Sequence, residues 1–356
     1  MIALVIILIV TTLAIAHFYL KCSVMTAFST FMASIFGSIV AFTYYEMLAD
    51  LFISRGYGIW APAGCFVLAF VLGFAAVRAL ADLLVGANID FGNGAKITVN
   101  LILGTVTGLI LSGHLLVTLG MMPIAGNRLY NRFPTDSPIS LKNPNRPLLN
   151  PDGMVTSLFA LFSRGALSSG NSFGVVCADF VNRNHLNRYG VAKDVTTICS
   201  KKALSVPKGN QKPVRIMDIK DIGTVTVIRA IISAKDIPDG GAKTDKGVVF
   251  TMSQVRAIAK SKDKANNFLG SGEAFWPIGI FEKGKLVQKA PSEIITFSNQ
   301  DFRKDTRTVW VDFVFEIPSD KQAVLLEFKQ NALTPLPSPV RSSEDIEKAL
   351  DSAEGS

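Results

Sequence analysis

The sequence predicts a membrane α-helical module of four transmembrane helices followed by a soluble α+β to mainly-β domain, an antiparallel sandwich or barrel. Three observations predict it. Met1 to Ile124 holds four basic side chains (Lys21, Arg55, Arg78, Lys96) and four acidic ones (Glu46, Asp50, Asp82, Asp90), so the net charge of +8 lies wholly after Ile124. The same segment contains four apolar stretches, each near the roughly 20 residues a helix needs to cross the hydrocarbon core. Beyond Lys201 the apolar pattern changes to period two with β-branched residues, the mark of strands.

The four stretches run Ile2–Leu20, Val24–Leu48, Pro62–Leu83 and Ile97–Met121. Each is apolar nearly all round, whereas the helices of a water-soluble bundle keep a polar face. Ala14-Ile15-Ala16 could serve as a signal-peptidase site. No Lys or Arg precedes that apolar run, however, and it continues through Phe18, Tyr19 and Leu20, so a retained helix is expected. Lys21 lies in the first loop and Arg78 and Lys96 flank the third, against Arg55 in the second. Basic residues are retained preferentially on the cytoplasmic side, which puts both ends of the module, and the domain after it, outside the cytoplasm.

Small residues recur every fourth position: Ala33, Gly37 and Ala41 in the second stretch, Cys65, Ala69 and Gly73 in the third, and Gly104, Gly108 and Ser112 in the fourth. That spacing places them on one helix face, where backbones approach closely. It serves packing within the chain or self-association. Polar groups are few: Asn100 and His114 in the fourth stretch, and Arg78 and Asp82 as an i,i+4 pair near the end of the third. One His without an acidic partner makes no proton relay, and Arg78 and Asp82 reach the interface, so transport chemistry is not the first reading.

The Tyr44-Tyr45 pair, the third helix entered after a short loop, and the closing run Asn100-Leu-Ile-Leu-Gly104-Thr-Val-Thr-Gly108-Leu-Ile-Leu-Ser-Gly113 together resemble the colicin V production protein (CvpA) family over residues 1–125. Lys21-Cys22 stands where that family usually has a basic residue followed by Gly. The resemblance implies a bacterial inner-membrane protein linked to toxin production or export and to envelope maintenance. It assigns no catalytic residues to the helices. Some relatives carry an extracytoplasmic trypsin-like protease after them.

Residues 125–151, rich in Asn, Pro and Arg, read as a linker. An extracytoplasmic domain over 152–333 follows, with short helices in 152–200 and strands in 201–333. Gly153–Phe162 has the spacing of an amphipathic helix with Asp152 as N-cap, packed on its own domain rather than on the membrane surface. Cys177–Arg188 reads as a second helix. Strands are expected at Thr224–Ile232, Gly247–Thr251, Phe275–Phe281, Glu293–Phe297, Thr308–Phe315 and Ala323–Phe328, with turns at Pro238–Gly241 and Pro318–Asp320 and a hairpin turn at Lys283-Gly284. Residues 334–356 read as a flexible tail.

Cys177 and Cys199 are the only cysteines of this half. In an oxidising compartment they would close a loop by a disulfide; two buried thiols are the alternative. A serine protease needs a nucleophile, a His and a group that orients the His. Here Gly170-Asn171-Ser172-Phe173-Gly174 precedes the one available histidine, His185, so order and motif both fail, and His185 reads as a surface or capping residue. One His and two separated cysteines supply no recognised metal set, no phosphate loop is present, and Cys177 has no base at a known distance. No cofactor is expected. Binding or scaffolding is therefore preferred to a membrane-anchored hydrolase or a channel or transporter subunit. Membrane lipids, anionic headgroups and anionic envelope polymers are the partners that the positive charge suggests, with an ordinary solvated basic surface as the alternative, and nucleic acid is not expected.

Overall fold

The computed structural model describes residues 2–337 except 54, 56, 85–91, 125–128, 134–142, 166–169, 192–194, 196–213, 223–224, 238–246, 283–284, 299, 304–305 and 331. Among the described residues, four helices are long and apolar enough to cross a membrane: α1 (Ile2–Lys21), α2 (Val24–Ile53), α3 (Ala61–Leu84) and α4 (Asn93–Met121). Outward-facing leucines such as Leu13 and Leu83 stay exposed, which is why the stretches are apolar on every side. α2 outruns its apolar stretch by residues 49–53, through Asp50, and α4 starts earlier, at Asn93. The charges end the apolar run but not the helix.

α1 runs antiparallel to α4, and α2 to α3. After α4 the chain folds back. Leu129 packs with Ala3, Ile7 and Leu116, and the Ala3 N–H donates to the Leu129 carbonyl at 3.1 Å. Residues 143–150 carry no helix or strand and lead into α5 (Pro151–Arg164). The compact helical unit includes α5 as far as Phe159. This differs from the expectation that the amphipathic helix packs on the β-rich part. Phe159 stacks on Phe42 of α2 at 5.0 Å, and glycine at 113 leaves room for Pro151 against α4. α5 begins one residue before the expected cap, and Asp152 lies in its first turn, accepting the Gly153 N–H at 2.9 Å.

The second unit contains α6 (Phe173–Val176) and α7 (Phe180–Val191), then eleven strands: β1 (Val214–Ile222), β2 (Val225–Ser233), β3 (Val248–Thr251), β4 (Val255–Ser261), β5 (Glu273–Phe275), β6 (Gly279–Glu282), β7 (Lys285–Gln288), β8 (Ile294–Phe297), β9 (Thr308–Phe315), β10 (Lys321–Phe328) and β11 (Ala332–Pro335). Every strand pairing is antiparallel, in sheets ordered β1-β2-β9-β6-β7, β11-β10-β4-β5 and β3-β8. The sheets share one apolar core, in which Phe250 of β3 packs edge-on to Phe313 of β9 and Phe328 of β10. They do not close into a barrel.

Three strand expectations need correction. Phe275–Phe281 is two strands in two sheets, because Pro277 has no N–H for a ladder. β1 and β4 were not expected, since charges at Arg215, Asp218, Lys220 and Asp221 and at Arg256 and Lys260 interrupt their apolar alternation. The expected tail starts inside β11, where Thr334 is buried and its hydroxyl donates to the Val214 carbonyl at 3.3 Å. The Pro318–Asp320 turn is present, with the Lys321 N–H donating to the Pro318 carbonyl at 2.9 Å. The Lys283-Gly284 and Pro238–Gly241 turns lie outside the described residues, although β6 and β7 pair as a hairpin.

Candidate functional site

The small-residue faces meet helices of the same chain. A Cβ on Gly108 would stand 2.7 Å from the Thr11 Cα, and one on Gly104 3.0 Å from the Ile15 Cα. On the other pair, a Cβ on Gly37 would meet the Phe70 carbonyl oxygen at 3.1 Å, and one on Gly73 would meet the Val40 Cβ at 2.8 Å. Ala33, Ala41, Ala69 and Ser112 are buried beside them, and the Ser112 hydroxyl donates to the Leu109 carbonyl at 3.0 Å.

Several polar side chains of the helices bond to backbone or to a neighbouring helix, while Thr11 Oγ1, Thr107 Oγ1, Asn100 Oδ1 and His114 Nε2 are buried without a partner among the described residues. Asn100 Nδ2 donates to the carbonyls of Phe18 and Cys22 at the end of α1, at 3.0 and 2.9 Å, and the Phe18 carbonyl also accepts the Cys22 N–H at 3.2 Å. An amide that a transport path would require is thus a helix cap. Arg78 holds Asp82 at 2.7 Å and donates to Ser29 Oγ at 2.7 Å, tying α3 to α2. The His114 ring stacks on Phe70 and Phe66 with centroids 4.3 and 5.6 Å apart, and its Nδ1 lies 2.9 Å from the Ile110 carbonyl oxygen.

In the second unit, Ser172 is the N-cap of α6. Its Oγ accepts the Gly174 N–H at 3.2 Å and donates to the Gly270 carbonyl at 2.6 Å. His185 is buried, not on the surface, because α7 is covered despite being polar all round. The covering contacts are polar: Ser253 Oγ donates to the Leu186 carbonyl, Gln330 to Asn184, and Arg188 to the Ile124 carbonyl. Cys177 is buried, and Cys199 lies outside the described residues.

Charge is also buried here. Glu327 on β10, 2% exposed, receives Arg256 of β4 at 2.6 Å and Arg183 of α7 at 3.3 Å, and Arg256 also donates to the Ala178 carbonyl. Lys260 donates to the Asn267 and Leu269 carbonyls, each at 2.7 Å, and to Asn267 Oδ1 at 3.1 Å; burial pushes this ammonium below its ordinary pKa, and Lys264 adds to the shift. These groups anchor α7 and the 262–270 loop.

A polar and aromatic cluster is open to solvent on the outer face of the five-stranded sheet. Val309, Val311 and Phe313 of β9 point into the core, so Trp310 and Asp312 point out. Trp310 is 41% exposed, with the Arg303 guanidinium 4.4 Å and that of Arg229 5.7 Å from its ring centroid. Arg229 is fixed by a two-pronged bond to Asp312, at 2.8 and 2.7 Å, and this hydrogen bonding raises its pKa. In register with Trp310 across Ile231 stands Arg215, and a bulge pushes the half-exposed Met217 out of β1 beside it. Neither Arg215 nor Arg303 has an ion-pair partner among the described residues.

No family model, curated protein or solved structure matches this chain.

The Trp310 cluster was not singled out from the sequence. Its one signal there is the alternation through β9, which puts a tryptophan on the face opposite the valines. Chemically it offers a flat indole bordered by guanidiniums, one held rigid and one without a counter-charge. Such a surface suits a ligand that carries both a stacking face and an anion.

Proposed function

We propose that this chain is a CvpA-type protein of a bacterial inner membrane, whose β-rich domain lies outside the cytoplasm and binds an anionic envelope polymer without catalysing a reaction on it. The role is envelope maintenance or toxin production and export. The helical half supports this reading through the Asn100 to Gly113 run, which forms a closely packed closing helix. For binding, the observation that carries it is Trp310, exposed on a rigid sheet between Arg229 and Arg303.

The test uses the full chain in phosphatidylcholine nanodiscs, with Trp60 and Trp276 replaced by Phe so that Trp310 reports alone. Dextran sulfate should shift its fluorescence, its binding should weaken with added salt, and uncharged dextran should compete poorly against it. The pair Trp310→Ala and Arg303→Ala, followed by sedimentation, should lower affinity at least tenfold. Equal binding by that variant would remove the site. Impermeant maleimide should reach a cysteine at Lys285 in intact cells and reach one at Lys96 only after lysis; the reverse pattern would overturn the orientation.

A further inference from the structure

The chain does not leave the apolar slab for good at the end of α4. Gly113 lies eight residues before that end, and a Cβ on it would overlap the carbonyl oxygen of Pro151, the first residue of α5. At ~1.5 Å per residue the 29 residues of α4 run about 43 Å, roughly 13 Å more than the hydrocarbon core. With the excess shared between its two ends, Gly113 sits about 5 Å inside the core. A second ruler agrees. Phe159 stacks on Phe42 at 5.0 Å, and Phe42 lies eleven residues before the end of the 30-residue α2, which places it about 9 Å inside by the same reckoning.

The turn that enters this depth is apolar and exposed. Leu148 is 50% and Leu149 66% exposed, and Leu149 and Asn150 are consecutive left-handed residues with φ of 58° and 45°. A branched side chain resists that conformation, so something must repay holding it outward. Backbone groups at the end of the turn bond within the protein, as irregular backbone at membrane depth requires, while the buried Asn150 Oδ1 has no partner among the described residues. The Asn150 N–H donates to the Pro147 carbonyl at 2.9 Å, and the Met154 N–H to the Asn150 carbonyl at 2.8 Å. The buried Asp152 takes the Tyr130 hydroxyl at 2.5 Å and the Gly153 N–H at 2.9 Å, with Arg132 3.9 Å away.

From these observations we infer that residues 148–159 are a re-entrant element embedded in the bilayer, with Leu148 and Leu149 in contact with lipid acyl chains. This goes beyond the proposed function and does not depend on what the β-rich domain binds.

The experiment is quenching by brominated-acyl phosphatidylcholine in nanodiscs. The full chain has its three tryptophans replaced by Phe and one new Trp at 148 or at 149. Trp at Leu101, exposed on α4, is the lipid-facing reference, and Trp at Leu286, exposed on β7, is the aqueous one. Protection of the buried Cys65 thiol from maleimide certifies folding of each variant. Quenching at 148 or 149 that reaches half or more of that at 101 supports the element. Less than half at both, with acrylamide quenching like that at 286, overturns it. Should Leu149→Trp fail the thiol check, Leu148→Trp decides by the same threshold.

Discussion

The two units are held together in opposite ways. Between the helices the decisive positions are those with least side chain: Gly108 against Thr11, Gly104 against Ile15, Gly73 against Val40. Within the β-rich unit they are those with most: Phe250, Phe313, Phe315 and Phe328, all fully buried. Solvent explains the contrast. A helix in lipid gains no hydrophobic free energy by meeting another, so close contact must supply the attraction, whereas a sheet in water gains by every apolar area it covers. Polar groups differ in their degree of charge burial. In the helices the hydroxyls of Ser38 and Thr118 bond to carbonyls one turn back, and Asn100 and Arg78 cross to a neighbouring helix, while the sheets bury Glu327 between guanidiniums distant in sequence.

The sharpest way to break this comparison is to remove atoms from one unit and add them to the other. Phe313→Ala should destabilise the β-rich unit by about 3–5 kcal/mol. Urea unfolding in detergent, followed by fluorescence of Trp276 and Trp310, measures it. Protection of the Cys22 and Cys65 thiols in the helical unit should not change. If the thiols open together with the sheet, the two units are not independently stabilised.

Gly108→Val is the converse. The added Cβ meets the Thr11 Cα, a backbone atom that cannot step aside, so a loss of about 1–3 kcal/mol is expected. Site-resolved maleimide labelling of Cys22, which packs with Phe18 on α1, should report it while tryptophan fluorescence stays unchanged. A variant as stable as the parent would mean that α1 and α4 are not held by close approach.

The same contrast explains how much could be read in advance. In the helical half composition is itself the signal, so four helices were legible, with ends off by a few residues where Asp50 and its neighbours continue α2. In the sheets, alternation revealed β2, β9 and β10 but not β4, whose Arg256 and Lys260 look like surface residues until Glu327 and the 267–269 carbonyls enclose them. His185 misled for a related reason: a helix polar on every side carries no mark of being buried. The Trp310 cluster needs strand register to bring Arg229, Arg303 and Arg215 together, and register is not written locally.

The smallest expected effect concerns the turn after α4. Burial, and next the charge of Asp152, push the Tyr130 phenol above its ordinary value of 10, while Arg132 opposes the shift. A folded-state pKa above the unfolded one contributes stability that is complete below pH 10 and is lost as pH rises from there toward the folded value. The helical unit should therefore lose about 1 kcal/mol between pH 10 and pH 11 from this group. Tyr130→Phe should flatten that part of the profile, read by circular dichroism on chemical unfolding, and should remove a late step from the absorbance titration at 295 nm. An unchanged alkaline profile in the variant would place the Tyr130 hydroxyl in water, away from Asp152, and would separate the two segments that the pair joins.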